Sequence, residues 1–261
     1  MKTHQKLLGG KFSVEMEVTG KGEPLLFLHG AAGLTGADPF LEDLGRNFTV
    51  YAPHLPGYGE STGGEHIDDV IDAALFYHEL MDELKIPTAY IVGHSMGGML
   101  AAEVAALDTR RAKKLVLVGA AGLWLDHDPI PDFFAADLED LPALLFHDPK
   151  SQLAQMMLAM PWENQELVTA MYVERTRRFS AASKFLWPIP DRGLKRRAYR
   201  IAAPTLLLWG GSDRVVPPSY AREYQKLIRN SRVHLIKEAG HMVLYEQPAE
   251  FEKAVTAFLK N

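Results

Sequence analysis

The sequence predicts an α/β domain built on a mainly parallel sheet. Short apolar-rich runs of the kind found in strands covered on both faces recur at residues 25–28, 48–52, 90–92, 115–118, 206–209 and 233–236. Amphipathic stretches fall between them, and buried strands alternating with such helices are the pattern of a parallel sheet flanked by helices. At Gly93-His94-Ser95-Met96-Gly97-Gly98 a tight turn joins one of these runs directly to an alanine-rich helical stretch.

Taken in order, residues 11–18 alternate Phe12, Val14, Met16 and Val18 with polar neighbours, the two-residue period of a half-buried strand. Thr19-Gly20-Lys21-Gly22 makes a turn before the run at 25–28, which ends in His29-Gly30-Ala31-Ala32-Gly33. The run at 48–52 leads into the turn-rich Pro53-His54-Leu55-Pro56-Gly57-Tyr58-Gly59. Between residues 67 and 84, Ile67, Val70, Ile71, Ala74, Leu75 and Leu84 fall on one face of an amphipathic helix. The helix after Ser95 runs to Leu107, and further helices follow at 220–228 and 251–259. Residues 124–200 break the alternation: they offer helical stretches at 153–160 and 166–185 and no buried strand. Pro129-Ile130-Pro131 and Trp187-Pro188-Ile189-Pro190 bound these helices, so the segment is a helical insertion.

With 261 residues, 47% of them hydrophobic, the chain can bury a large core as one domain with an insertion. Its polar first residues and the lack of any apolar run of membrane-spanning length lead us to expect a cytoplasmic protein with no membrane partner. A net charge of -5 gives no electrostatic reason to expect nucleic acid as a partner. The basic cluster Lys195-Arg196-Arg197 is expected to be a solvated helix face. The absence of cysteine excludes disulfides, a thiol nucleophile and thiolate metal sites. Asp126-His127-Asp128 is too compact to hold a metal alone, so neither metal nor cofactor is expected.

The Gly-x-Ser-x-Gly turn has a mechanical rationale: side chains two positions either side of the serine would collide with the adjoining strand and helix. A shuffled chain of this composition yields the pattern about 0.06 times, so its surroundings must carry the case. A serine hydroxyl needs a base to take its proton, and the base needs a group that holds its tautomer. Functional groups of open α/β sheets gather at the carboxyl ends of strands. There, Asp213 follows the run at 206–209 and His241 follows the run at 233–236, giving the chain order Ser95, Asp213, His241. Capping is the commoner task of a turn aspartate, and nine of the 10 histidines have ordinary surface or structural roles open to them, with His29 and His94 suited to structural hydrogen bonds. Only His241 combines a strand end, a preceding glycine and an upstream acid. Backbone N–H groups of Met96 and of Ala31, with Ala32 as the alternative, are the candidate donors to a developing oxyanion.

At this point the chain resembles the α/β-hydrolase superfamily, through Leu28-His29-Gly30, the 53–61 segment, Gly93-His94-Ser95-Met96-Gly97-Gly98, Trp209-Gly210-Gly211-Ser212-Asp213 and Ala239-Gly240-His241. The resemblance implies the α/β-hydrolase fold: a mostly parallel eight-stranded sheet with its second strand antiparallel, flanked by helices, and a helical lid inserted after strand six. It implies a core of residues 1–123 and 201–261, with 124–200 as the lid. Within the superfamily the chain is most similar to esterases and to the carbon-carbon hydrolases of aromatic ring-fission products. The latter commonly carry Trp after the histidine, where this chain has Met242. The expected activity is cofactor-free hydrolysis of a small or medium ester through an acyl-enzyme. Carbon-carbon hydrolysis of a dienoate is the alternative, with Arg192 as the carboxylate anchor. A small-molecule receptor of the same fold is a third reading. Trp124, Trp187, Arg192 and Met242 are the candidate substrate-binding residues, and the aromatic content of the insertion suggests an apolar pocket.

Overall fold

The computed structural model describes residues 2–189 and 191–261; Met1 and Pro190, the latter at the end of the second proline-containing boundary, lie outside them. Along the chain come β1 (Lys2–Leu7), β2 (Phe12–Thr19), β3 (Pro24–Leu28), α1 (Pro39–Gly45), β4 (Thr49–Pro53), α2 (Val70–Glu83), β5 (Ala89–His94), α3 (Met96–Leu107) and β6 (Ala112–Val118). Helices α4 (Leu141–Leu145), α5 (Gln152–Met157) and α6 (Gln165–Leu186) follow. Then come β7 (Thr205–Gly210), α7 (Ser219–Leu227), β8 (Ser231–Ile236), α8 (Val243–Glu246) and α9 (Pro248–Lys260). Among the described residues the strands form one eight-stranded sheet in the order β1-β2-β4-β3-β5-β6-β7-β8. Strand β2 runs antiparallel to both its neighbours, and β3 to β8 are mutually parallel. This is the α/β-hydrolase fold.

The central strands are apolar throughout because both faces are covered, and alternate residues serve opposite layers. Leu26, Leu28, Ile91, Leu115, Leu117 and Leu207 pack with α2, α3 and α7, whereas Leu25, Phe27, Val92, Val116, Leu206 and Leu208 pack with α1 and α9. Each such side chain removed from water contributes about 1.5–3 kcal/mol. Helix α3 is buried along nearly its whole length, which is why its sequence is alanine-rich rather than amphipathic.

Several elements depart from the sequence expectations. Strand β1 is absent from them because its exposed positions are polar and it sits at the sheet edge with β2 alone. At the other edge β8 is only partly covered, and Leu235 is 43% exposed, so it is not the buried strand that its composition suggests. Helix α2 begins after Asp69, whose carboxylate accepts from the N–H groups of Ile71 and Asp72. Its buried face is Val70, Ala73, Ala74, Tyr77, Leu80 and Met81, and Leu75 points outward. Between β6 and β7 the described residues form α4, α5 and α6 and no strand. No helix of the described residues is long and apolar enough to cross a membrane.

The basic cluster at 195–197 requires a correction. Lys195 and Arg196 are exposed, but Arg197 donates from Nε and Nη2 to the two carboxylate oxygens of Glu103, at 2.7 and 2.6 Å. Glu103 lies on α3 and is completely buried. A charged residue has no periodicity that signals such a partner 94 positions away. Removing one member of a buried pair strands the other charge, so Arg197→Met is expected to cost about 3–5 kcal/mol, against less than about 0.5 for Lys195→Met. Urea unfolding of the two variants checks this, and equal midpoints would contradict it.

Candidate active site

The site forms where β3, β5, β7 and β8 reach their carboxyl ends. At the end of β5 the chain reverses into α3 through Ser95, which has φ 56° and ψ −117°. A non-glycine residue there is strained by about 1–3 kcal/mol. The strain is sustained by hydrogen bonds and by two glycines. Ser95 N–H donates to Val118 O at 2.9 Å, and Ser95 O accepts from Met99 and Ala121 N–H, both at 3.1 Å. A Cβ on Gly93 would stand 2.2 Å from Gly97 O, and one on Gly97 would stand 2.1 Å from Leu28 O. These are the collisions that the motif spacing anticipates.

The three residues singled out in sequence meet here. His241 Nε2 lies 2.9 Å from Ser95 Oγ, and His241 Nδ1 lies 2.8 Å from Asp213 Oδ2. With its proton on Nδ1, the imidazole donates to the carboxylate and accepts from the serine hydroxyl. The other oxygen of Asp213 accepts from Val215 and Val216 N–H at 2.9 and 2.8 Å. One carboxylate thus does both the turn-capping task common for aspartate and the orienting task. The Trp209 indole fixes the same turn by donating to Val216 O at 3.0 Å. Ser95, His241 and Asp213 are 9%, 4% and 3% exposed, so their hydrogen bonds operate with little competition from water.

Two further histidines hold the frame. His94 Nε2–H donates to His241 O at 2.9 Å. His29 Nδ1–H donates to Gly30 O at 2.8 Å, and its Nε2 accepts from Leu55 N–H at 3.1 Å. Each ring is used as a neutral tautomer. Burial lowers the pKa of His29 to about 4 and that of His94 to about 3, and the nearby His241 adds to the effect at His94.

Met96 is the first residue of α3, so its N–H has no carbonyl four residues back within the helix. Ala31 is buried and lines a cavity of about 100 Å³ together with Ser95 and His241. Met242 and Arg192 line the same cavity, as do Phe133, Phe134 and Phe185. Trp124 and Trp187 are not among the lining residues: Trp124 Nε1 donates to Asp126 at 2.9 Å, and Trp187 is exposed and packs edge-on against Phe134. A second, more open chamber of about 750 Å³ lies against the first and shares Ala32, Phe133 and Leu145 with it. Its walls come from α5 and α6, including Met157, Leu167 and Met171.

Other contacts at the site escape sequence reasoning. Tyr58 hydroxyl donates to Ala31 O at 3.1 Å, and Arg178 donates to Ala32 O at 2.7 Å. Glu246 accepts from His147 and Gly240 N–H at 2.6 and 2.7 Å, bracing the loop that carries His241. The Tyr58 position inside a glycine-rich turn is the only sequence signal among these three; nothing local marks the others.

Residues 23–248 match the family described as the alpha/beta hydrolase fold. The chain is 31% identical to the dihydrolipoyllysine-residue acetyltransferase component of the acetoin cleaving system of Pseudomonas putida, over 97% of this chain and 68% of that protein. It is 28% identical to lipase 3 of Moraxella sp., over 91% and 77% of the two chains. Identity to the 2-hydroxy-6-oxo-6-phenylhexa-2,4-dienoate hydrolase of Comamonas testosteroni is 25%, over 96% and 92%.

The buried neutral histidines have a consequence for acid stability. Their folded pKa values lie below the ordinary value of about 6.5, so between that value and about 4 the unfolded chain binds protons that the folded chain does not. Stability is therefore present above about pH 6.5 and is lost as pH falls, by about 1.4 kcal/mol per pH unit for each histidine. The unfolding free energy from urea titrations should drop by roughly 2–3 kcal/mol between pH 6 and pH 5, above the ordinary carboxylate range. Among the described carboxyl groups only that of the half-buried Glu246, raised by burial, acts in the opposite sense. A flat profile over that interval would contradict the assignment.

Proposed function

The chain belongs to the alpha/beta hydrolase fold family, and from that premise we propose that it is a serine hydrolase that cleaves a small or medium ester through an acyl-enzyme. The observation that carries this reading is the unbroken run of hydrogen bonds from Ser95 Oγ through His241 to Asp213, buried and opening on an apolar cavity. In it, Ser95 Oγ attacks the ester carbonyl while His241 Nε2 takes its proton. Asp213 stabilises the imidazolium that forms, and the N–H groups of Met96 and Ala31 receive the oxyanion. His241 then returns the proton to the leaving alcohol, and water hydrolyses the acyl-enzyme by the same steps. Everything the cycle needs is supplied by side chains and backbone, so the reading invokes no cofactor. Asp126 is a poorer candidate for the acid in this scheme, because its carboxylate is exposed and accepts a hydrogen bond from the Trp124 indole N–H.

Residues 124–200 serve in this reading as a lid over a core of 1–123 and 201–261. Support comes from Phe133, Phe134, Phe185 and Arg192, which come from this segment and line the cavity beside Ser95. The site cavity alone is smaller than the roughly 300–1,000 Å³ usual for small-molecule sites, whereas the adjoining chamber falls inside that range. A substrate with an apolar portion beyond the reacting ester suits that pairing.

One observation favours carbon-carbon hydrolysis as a second reading. Arg192 reaches the cavity wall, and among the described residues its guanidinium bonds to the carbonyls of Trp187 and Lys184, at 2.9 and 3.5 Å, and to no carboxylate. Its charge is therefore available to an acidic substrate of the kind named for the Comamonas relative.

A panel of p-nitrophenyl esters of increasing acyl length, beside a dienoate ring-fission product, separates the readings. Ester turnover that is lost in Ser95→Ala but little changed in Arg192→Met is the expected result, with a fluorophosphonate labelling Ser95 alone. Turnover of the dienoate alone, lost in Arg192→Met, would favour the second reading. Stoichiometric binding without turnover of either class would favour a receptor.

A further inference from the structure

The turn after β3, which carries the proposed oxyanion donor, is held by its carbonyls from three separate parts of the molecule. Gly30 O accepts from Gly33 N–H at 3.0 Å and from His29 Nδ1–H at 2.8 Å. Ala31 O accepts from the buried Tyr58 hydroxyl at 3.1 Å. Ala32 O accepts from Arg178 Nη1 at 2.7 Å, across 146 positions of sequence. In a trans peptide the N–H of one residue points opposite to the carbonyl of the residue before it. His29 therefore sets the direction of the Ala31 N–H, Tyr58 that of Ala32, and Arg178 that of Gly33, the group that closes the turn on Gly30 O.

The first two restraints belong to strands and loops of the sheet layer. The third comes from the middle of α6. The Arg178 guanidinium is itself aimed, because its Nε donates to Glu174 Oε1 at 2.7 Å, one helical turn earlier. Gly33, at φ +79°, lets the turn pass close beneath that guanidinium: a Cβ there would lie 3.0 Å from the Tyr58 ring and 3.7 Å from Arg178 Cζ.

We propose that Arg178 is a positioning residue for the oxyanion-binding turn, its bond to Ala32 O holding the Ala32–Gly33 peptide so that the turn presents its N–H to the reacting carbonyl. This rests on the serine hydrolase reading above. It makes the helix between β6 and β7 part of the rate-determining geometry rather than merely a wall of the pocket.

Helix α6 supplies its own control. Arg177 donates to Gly59 O at 2.6 Å, and Lys184 donates to Gly64 O and Ile67 O at 2.7 and 3.0 Å. These bonds strap the same helix to loops that do not carry an oxyanion donor. Displacement of a reacting group by about 1 Å can cost on the order of 100-fold in rate, so Arg178→Gln should lower kcat on a short ester by roughly 10- to 100-fold with KM little changed. Phosphonylation of Ser95 should slow in parallel, because the phosphonyl oxygen occupies the same hole. Arg178→Lys, which keeps a donor but not the fork, should recover part of the loss. Arg177→Gln should lower thermal stability as much as Arg178→Gln does, since each loses one bond from α6 to a loop carbonyl, and leave kcat near the wild type. If Arg178→Gln does not fold, Arg178→Lys alone makes the comparison with Arg177→Gln, with a lowered kcat expected; Glu174 is left intact because it pairs with Arg177 as well, at 3.2 Å. Equal losses of kcat in the Arg177 and Arg178 variants, or an unchanged kcat in the latter, would overturn the proposal. A wild-type enzyme that neither turns over esters nor takes the label on Ser95 would overturn the hydrolase reading, and this one with it.

Discussion

Ser95 stands at φ 56° between a strand and a helix that touch each other through backbone atoms, and the rest of the site is arranged around that contact. The close approach of Gly97 to Leu28 O pulls the start of α3 against the end of β3. It therefore sets the separation between the serine and the turn at 30–33. Gly119 plays the corresponding part on the other side, at φ +50°, where a Cβ would sit 3.0 Å from Asp213 Oδ2 and 3.3 Å from His241 Nδ1. Side chains are excluded on both flanks of the serine, which leaves room for Asp213 and His241 on one and for the turn at 30–33 on the other. The conformational strain is offset by the hydrogen bond that Ser95 N–H donates to Val118 O, by those that Ser95 O accepts from Met99 and Ala121, and by the burial of α3 along nearly its whole length.

A second theme is how the segment between β6 and β7 is attached. Leu145, Ala182, Phe185 and Leu194 are buried in the same apolar cluster as the sheet, and cationic side chains that donate to backbone carbonyls add directional ties. Arg177, Arg178 and Lys184 reach from α6 to loops at 32, 59 and 64–67. In the reverse direction Arg214, next to Asp213, donates to Ala143 O and Phe146 O at 2.8 and 3.0 Å, and Met242 N–H donates to Leu145 O at 3.1 Å. Such bonds are directional, so they fix the seating of these helices more narrowly than apolar contact alone. Those of Arg178, Arg214 and Met242 lie beside Ser95, Asp213 and His241, so the seating of α4 and α6 is tied to the position of these three residues.

Much of this was legible in the sequence, for identifiable reasons. Strand β7 and the loops bearing Asp213 and His241 follow from short apolar runs ending in polar turns, because a strand buried on both faces permits little else. The Ser95 turn is legible because its glycines answer a steric demand that no other residue meets. Edge strands are harder to see: β1 presents polar side chains to water, and β8 mixes Arg232, His234 and Leu235 on a half-covered surface. Short helices α1 and α4 have seven and five residues, too few for a periodic pattern to stand out. Trp124 and Trp187 are candidates as aromatic residues of the insertion, but an aromatic residue in a loop carries no signal of the direction in which it packs. The restraints on the turn at 30–33 were invisible for a different reason. Arg178 and Tyr58 bond to backbone carbonyls, and a backbone carbonyl leaves no mark in composition or spacing.

The histidines show how the same residue type is divided between opposite duties by its surroundings. His94 and His241 lie with ring centroids 4.9 Å apart, yet one donates to a carbonyl and the other links a carboxylate to a hydroxyl. Burial pushes the His94 pKa down to about 3, so that ring does not acquire a charge when His241 accepts a proton in the proposed cycle. A second titrating imidazole at that distance would compete for the proton and destabilise the imidazolium by like-charge repulsion. Keeping His94 neutral therefore does two things at once. It supplies a donor that fixes the His241 backbone, and it leaves the charge that develops on His241 to be balanced by Asp213 alone. The carboxylate can meet that demand because its other oxygen is already occupied by two backbone N–H groups, which hold it in place as an acceptor throughout.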